Sequence, residues 1–331
     1  MIGVAVIGLG NALQPHARSL VDLADRVRVV HAAASSAARL NDVADRYSFP
    51  TTTDVALAVT DPAVDAVLIL TPANAHLEIA QAAFTAGKHV LCEKPLEVTL
   101  ERGEQLIAAG RRADRRLAIC LQMRFRPGSR RLHELLRNGD LGEVQAATMM
   151  APWWRPQSYY DEPGRGVKAR DGGGVLITQA IHALDLFRWL VGIEHVEAAH
   201  VRTTAVHRME TEDYASALVR LGNGAPGSIF ATTAAYPGSP EWIHIIGSKG
   251  TARIEGGSLR VATIDGREEV LADTSGSGGG ASVMAFSHDA HRAVLADFLD
   301  AVEQNRDPAI PGEEALATQR IIDAILTKGS E

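Results

Sequence analysis

The sequence predicts an α/β domain built on a doubly wound parallel sheet, followed by an α+β domain with a large open, mainly antiparallel sheet. Three observations carry this prediction. Up to about Leu121, short β-rich runs alternate with helical stretches, the texture of βαβ units. Those runs are apolar on both sides, as strands covered on both faces must be. After Arg124-Phe125-Arg126-Pro127 the alternation gives way to a long succession of strand-like runs with few helices between them.

In the first half, strands are expected at Gly3–Ile7, Val27–Ala33, Ala66–Leu70, His89–Cys92 and Leu117–Cys120. The stretches between them repeat alanine and leucine at about 3.6-residue spacing, so they read as helices. In the second half, a helix from Gly128 to Asn138 precedes strands at Val144–Met150, Val196–Thr204, Asp213–Leu221, Gly227–Ala235, Trp242–Ile246, Thr251–Ile254 and Leu259–Thr263. One helix, Val175 to Val191, interrupts that series, and two more are expected at His288–Glu303 and Gly312–Leu326. The Gly- and Ser-rich segment from Asp273 to Ser282 reads as a surface loop. The domain boundary is set at 121/122, giving domains 1–121 and 122–331.

Composition narrows the function. A net charge of -7 leaves no basic excess for a phosphate backbone, so nucleic acid is not an expected partner. No apolar run reaches the roughly 18 to 20 residues of a membrane span, and no leader precedes the first strand, so no membrane association and a cytoplasmic location are expected. Cys92 and Cys120 are the only cysteines and lack metal-ligand spacing, so both read as small apolar residues and no metal is expected.

The chemistry starts at GVAVIGLGNALQPHARSL, where a glycine turn follows a buried strand and opens a helix. Gly8 permits the tight turn and Gly10 lets backbone approach a pyrophosphate, with Asn11 and Ala12 leading into the helix N-terminus. Leu13 stands where a third glycine would allow close helix–strand packing. The second strand ends in AAASSAAR, without the acidic residue that binds ribose hydroxyls in NAD-binding chains. Ser35, Ser36 and Arg39 would suit a 2′-phosphate, which tilts the expected cofactor towards NADP over NAD; the serines would equally serve as helix caps. Thr71, Pro72, Asn74 and nearby His76 follow the third strand, either lining the nicotinamide side of the cleft or forming an ordinary turn.

Glu93, Lys94 and Pro95 break off the fourth strand at the same edge. Pro95 restricts the backbone of Lys94, so this lysine is expected at a fixed angle, suited to proton transfer with a substrate hydroxyl, with Glu93 beside it at the cofactor. In DGGGVLITQAIHALDLFRWLVG, the glycines Gly172 to Gly174 allow close approach to a ligand. On one continuous helix, Thr178, His182 and Asp185 would share a face; alternatively this is a helix with a satisfied histidine.

The ordered set GLG, TPANAH, EKP, GGGVLITQAIHALDL and GSKGT resembles the Gfo/Idh/MocA family, the relatives of glucose-fructose oxidoreductase and inositol dehydrogenase, along nearly the whole chain. The resemblance implies a Rossmann domain followed by a substrate-binding and oligomerisation domain. It also implies NAD(P)-dependent redox chemistry at a hydroxyl or keto carbon of a sugar, sugar nucleotide or cyclitol. By the same resemblance Lys94 and His182 match the catalytic pair, and Asp185 matches the carboxylate one turn on. Thr178 departs from the family's Asp or Asn at that site, while Gln179 resembles the Gln of the sugar-nucleotide group. Arg124, Trp153, Trp154, Arg155, Tyr159, Tyr160 and Lys168 are candidate substrate contacts or, for the loop ahead of the glycines, packing residues. A homodimer or homotetramer through the second-domain sheet is implied. Two other readings use the same scaffold: a non-catalytic NAD(P)-binding sensor or regulatory protein, and an enzyme that recycles a tightly bound cofactor.

Overall fold

The computed structural model describes residues 1–273 and 287–330. The chain divides into two compact units, Met1–Gln122 with His288–Leu316, and Met123–Ser287 with Ala317–Glu331.

The first unit alternates strand and helix. Its elements are β1 (Ile2–Ile7), α1 (Leu13–Asp22), β2 (Val27–Ala33), α2 (Ala37–Tyr47), β3 (Thr51–Thr52), α3 (Val55–Thr60), β4 (Ala66–Ile69), α4 (His76–Thr85), β5 (His89–Cys92), α5 (Leu100–Arg112) and β6 (Leu117–Ile119). The strands form one parallel sheet in the order β3-β2-β1-β4-β5-β6. Every residue of β1 and β4 is buried, because helices cover both faces, and this is why their sequences are unbroken apolar runs. Short polar side chains fix two helix starts: Asp54 accepts from Leu57 N at 2.9 Å and Thr99 from Arg102 N at 3.2 Å. The short strand β3 has no counterpart in the sequence reading, since two residues are below the length at which periodicity shows.

The second unit holds α6 (Pro127–Arg137), β7 (Val144–Pro152), α7 (Gln157–Tyr160), α8 (Lys168–Asp171), α9 (Val175–Thr178), α10 (Ile181–Val191), β8 (His195–Arg202), β9 (Tyr214–Arg220), β10 (Pro226–Thr232), β11 (Trp242–Gly247), β12 (Gly250–Glu255), β13 (Ser258–Thr263) and β14 (Glu268–Leu271). The eight strands pair in the order β14-β13-β12-β11-β7-β10-β9-β8, all antiparallel except β7 with β10. A parallel pair needs a crossover, and the chain between β7 and β10 contains α10, which packs on β7. Ile229 and Ala231 of β10 and Ala215, Ala217 and Val219 of β9 point into the core, while Tyr214, Leu218 and Phe230 point away from it.

Two helices close the chain, α11 (Asp289–Glu303) and α12 (Gly312–Gly329). The sequence reading assigned everything beyond 121 to the second domain, but α11 belongs to the first unit. It packs on α1, Asp300 and Glu303 each accept from Arg26 at 2.7 Å, and Ile119 N donates to Ile310 O at 3.0 Å. A contiguous reading of sequence has no means of seeing this return. Residues from 274 onward in the Gly- and Ser-rich segment lie outside the described residues. No single described helix is long and apolar enough to cross a membrane.

Candidate active site

The strand order of the first sheet reverses direction at β1, and ligands of open α/β sheets bind at the carboxyl edge beside such a point. The glycine turn sits there. Gly8 has φ +98°, and a Cβ on it would lie 2.8 Å from the backbone of Leu70 and Thr71, so only glycine fits between β1 and β4. Above Gly10 the space is open: the nearest atom to a Cβ there is an Arg39 guanidinium nitrogen at 4.0 Å. Helix α1 has no acidic residue in its first turn and no side-chain cap, so its N-terminal N–H groups are available to an anion. Leu13, at the third-glycine position, is buried in the core. The Thr71 hydroxyl is buried at this edge with no hydrogen-bond partner among the described residues. An open glycine turn, an uncapped helix N-terminus and an unsatisfied hydroxyl fit a dinucleotide, which Gly8, Gly10, Asn11, Ala12 and Thr71 would hold. Ser36 precedes α2 but its side chain makes no capping bond, while Ser35 and Arg39 are exposed beside the turn. Pro72 and Asn74 are exposed after β4.

The structure separates the two charges after β5. Glu93 turns inward, accepting from His16 Nε2 at 2.7 Å and from the Lys94 backbone N–H at 3.1 Å. Burial alone would raise its pKa, but the His16 hydrogen bond and the positive field of His16, His291 and Lys94 outweigh burial and hold the carboxyl well below the usual range. The expectation that Glu93 contacts the cofactor is therefore corrected: its oxygens are engaged within the core. His76 is corrected likewise. It is fully buried, with Nε2 3.0 Å from Thr71 O and Nδ1 3.1 Å from Pro95 O, so it ties the loop after β4 to the loop after β5. Lys94 itself is half-buried at the carboxyl edge, joined to Pro95 by a cis peptide bond.

In the second unit, the predicted continuous helix is two helices, α9 and α10, broken at Gln179 and Ala180. The Thr178 hydroxyl donates to Gly174 O at 2.6 Å, a back-bond to the preceding turn that bends helices, and it also contacts Gln179 Oε1. Thr178 and His182 therefore do not share one helical face. Ahead of the break, Gly174 is clamped by Glu212, whose carboxylate accepts from Gly174 N at 2.9 Å and Leu176 N at 3.2 Å. Glu212 O accepts from Val175 N at 2.8 Å, and a Cβ on Gly174 would fall 1.8 Å from that same oxygen. Burial pushes the Glu212 carboxyl up, against the pull of these backbone donors. No local signal marked Glu212, because its partners lie 38 and 36 residues away.

Asp185 also departs from its expected role. Its side chain is 1 % exposed and forms a two-pronged ion pair with Arg124, at 2.7 and 2.6 Å, while Thr318 donates to it at 2.8 Å. Its oxygens accept from α12 and from the segment before α6, which gives this carboxylate a structural part in the second unit. Arg124, expected at the substrate, is the other half of that pair. His182 remains half-buried on α10.

Among the loop candidates, packing wins at three positions. Trp153 is 5 % exposed, Arg155 2 % and Tyr160 7 %. The Tyr160 hydroxyl bonds to Thr233 Oγ1 at 2.7 Å, and burial raises its pKa. Arg155 lies over the Trp153 ring at 5.4 Å, and burial pushes its guanidinium pKa down. Trp154 is half-buried against Tyr236, and Lys168 is exposed. Tyr159 stands between two groups: Arg165 donates to its hydroxyl at 2.7 Å, and Gln179 Nε2 is 3.4 Å from it.

A dinucleotide turn with a lysine at the same sheet edge, in a chain whose second unit is an open eight-stranded sheet, defines the class of two-unit nicotinamide-dependent oxidoreductases. Residues 2–120 match the oxidoreductase family with an NAD-binding Rossmann fold, and residues 129–253 match the Gfo/Idh/MocA C-terminal domain. The chain belongs to the Gfo/Idh/MocA family of oxidoreductases. It is 29% identical to myo-inositol 2-dehydrogenase of Thermotoga maritima over 94% of this chain and 91% of that one. Inositol 2-dehydrogenase of Rhizobium meliloti is 26% identical, over 98% of this chain and 96% of the relative. The WlbA dehydrogenase of Bordetella pertussis, solved with NADH and UDP-GlcNAcA, superposes with a TM-score of 0.85 at 27% identity, covering 100% of this chain and 97% of that one.

Proposed function

We propose that the chain is an NAD(P)-dependent dehydrogenase or reductase that moves hydride between the nicotinamide and a hydroxyl or keto carbon of a sugar, sugar nucleotide or cyclitol. The observation that carries this is the carboxyl edge of the first sheet, where Lys94 after β5 shares an edge with the open glycine turn after β1 and the unsatisfied Thr71 hydroxyl after β4. When bound, the nicotinamide supplies the hydride donor or acceptor. Lys94 moves the proton at the substrate oxygen, and His182 of the second unit serves as the second proton-transfer group. The Thr178 hydroxyl, committed to Gly174 and Gln179, holds the bend that starts α10 and with it His182.

The relatives named above act on or were solved with cyclitols and sugar nucleotides, which supports that substrate range. Arg39 beside Gly10, with no acidic residue at the end of β2, supports NADP as the preferred cofactor. For assembly as a dimer or tetramer, support comes from the outer face of the second sheet, where Leu218 is 57% exposed beside Phe230 and Tyr214.

The test is a panel of sugars, cyclitols and sugar nucleotides followed by nicotinamide absorbance with NAD and NADP, on wild type and on Lys94→Ala and His182→Asn. Turnover on at least one class is expected, with a fall of roughly 100-fold or more in folded Lys94→Ala. Cofactor binding without turnover on any compound, or undiminished turnover in Lys94→Ala, would overturn the reading.

A further inference from the structure

Four elements far apart in sequence converge inside the first unit, below the carboxyl edge of its sheet. His16 of α1, Glu93 after β5, Cys120 after β6 and His291 of α11 each offer one ligand atom, and these atoms all lie within 4.8 Å of one another. His16 and Cys120 are fully buried and His291 is 4% exposed. The two imidazole rings meet edge to face with centroids 5.2 Å apart. Glu93, with its side chain 11% exposed, is the most accessible of the four.

We propose that these four side chains bind a divalent transition ion of the zinc type, which clips α11 to the ends of β5 and β6. Two imidazole nitrogens, one sulfur and one carboxylate oxygen form the mixed donor set that such an ion takes in closed four-coordinate sites. The charges also balance. A thiolate and a carboxylate together carry the two negative charges that a divalent ion cancels, so the loaded cluster is neutral, which suits a site taken out of water. Exposed carboxylate groups gather on many surfaces without an ion, but this cluster is buried and brings nitrogen, sulfur and oxygen together from four separate segments. Apolar side chains would fill the same space at lower cost, since buried polar groups have to be desolvated. A cysteine binds a metal ion only as the thiolate, and an ordinary thiol is protonated at neutral pH. Ion binding therefore releases a proton. Glu93 precedes Lys94, so the ion would also fix the residue next to the proposed proton-transfer lysine without touching the lysine itself.

The experiment uses the full-length protein, stripped with a chelator, desalted, and titrated with Zn²⁺ or Co²⁺ alone. Expected are about one ion retained per chain, proton release on binding, and a raised thermal midpoint. The cobalt form should show the intense visible bands of a tetrahedral site together with a thiolate-to-cobalt charge-transfer band. Cys120→Ser should lose that charge-transfer band, and His291→Gln should weaken retention by at least about 10-fold. Wild-type protein that retains no ion and gains no thermal stability overturns the proposal, whatever the variants do. A charge-transfer band that persists in Cys120→Ser overturns it as well, because the ion would then sit elsewhere.

Discussion

Asp185→Asn separates a structural from a catalytic role for the carboxylate one turn after His182. In the native chain Arg124 and Asp185 are 4% and 1% exposed, and they exchange two charge-assisted hydrogen bonds of 2.7 and 2.6 Å, with a third from Thr318 at 2.8 Å. The variant removes the negative charge and turns an amide N–H₂ towards guanidinium donors. The buried Arg124 charge loses its carboxylate partner, a change that costs about 3–5 kcal/mol. For a unit of this size the thermal midpoint should fall by roughly 6–20 °C. Urea or thermal unfolding followed by circular dichroism measures that loss. Replacing both partners, as Arg124→Met with Asp185→Leu, should recover most of it, because an apolar pair leaves no stranded charge. Turnover by the folded fraction of Asp185→Asn should stay within a few-fold of wild type, whereas loss of a proton-transfer group removes about 10²–10⁴-fold. A variant with stability changed by less than about 1 kcal/mol and a large loss of turnover would refute the reasoning and return Asp185 to the catalytic group.

Three further predictions follow from the same geometry. Arg39→Ala should weaken NADP(H) binding selectively, leaving NAD(H) nearly unchanged in fluorescence titrations, through the lost pairing with the 2′-phosphate; equal effects on both cofactors would count against the proposed preference. Gly174→Ala should destabilise the second unit by about 3 kcal/mol or more in urea unfolding, because the added Cβ meets Glu212 O at 1.8 Å and forces open the clamp on Gly174 and Leu176; a midpoint equal to wild type would contradict the clamp. His89 is held neutral in the fold, since burial first and then Arg115 and Arg116 lower its pKa from 6.5 to about 4, and its Nδ1 accepts from Arg116 N at 3.0 Å. The unfolded chain therefore takes up the proton first, so stability is full above pH 6.5 and falls as pH drops towards about 4. The full window would be worth about 3 kcal/mol, and solvent at the half-buried ring reduces this to roughly 1–2. Urea midpoints compared at about pH 7 and about pH 5 should show a smaller acid loss in His89→Gln; an identical loss would assign it to other groups.

The sequence by itself determined the two sheets and the glycine turn, because those features are written in adjacent residues. Continuous apolar runs imposed a parallel sheet covered on both faces, and Gly8 had to be glycine to pass the backbone of Leu70 and Thr71. Lys94 and the glycine turn are each local motifs at strand ends, so a common edge follows from topology alone. What the tertiary structure decided is the partner of each buried charge. Glu93 stands beside Lys94 in the chain yet pairs with His16, 77 residues away, and Asp185 pairs with Arg124 across 61 residues. The same holds for Glu212 on the glycine loop, and for Cys120 and His291, which share no spacing motif. A buried charge must find an opposite charge or a donor wherever the folded core offers one, and the desolvation cost that enforces this exists only once the core has formed.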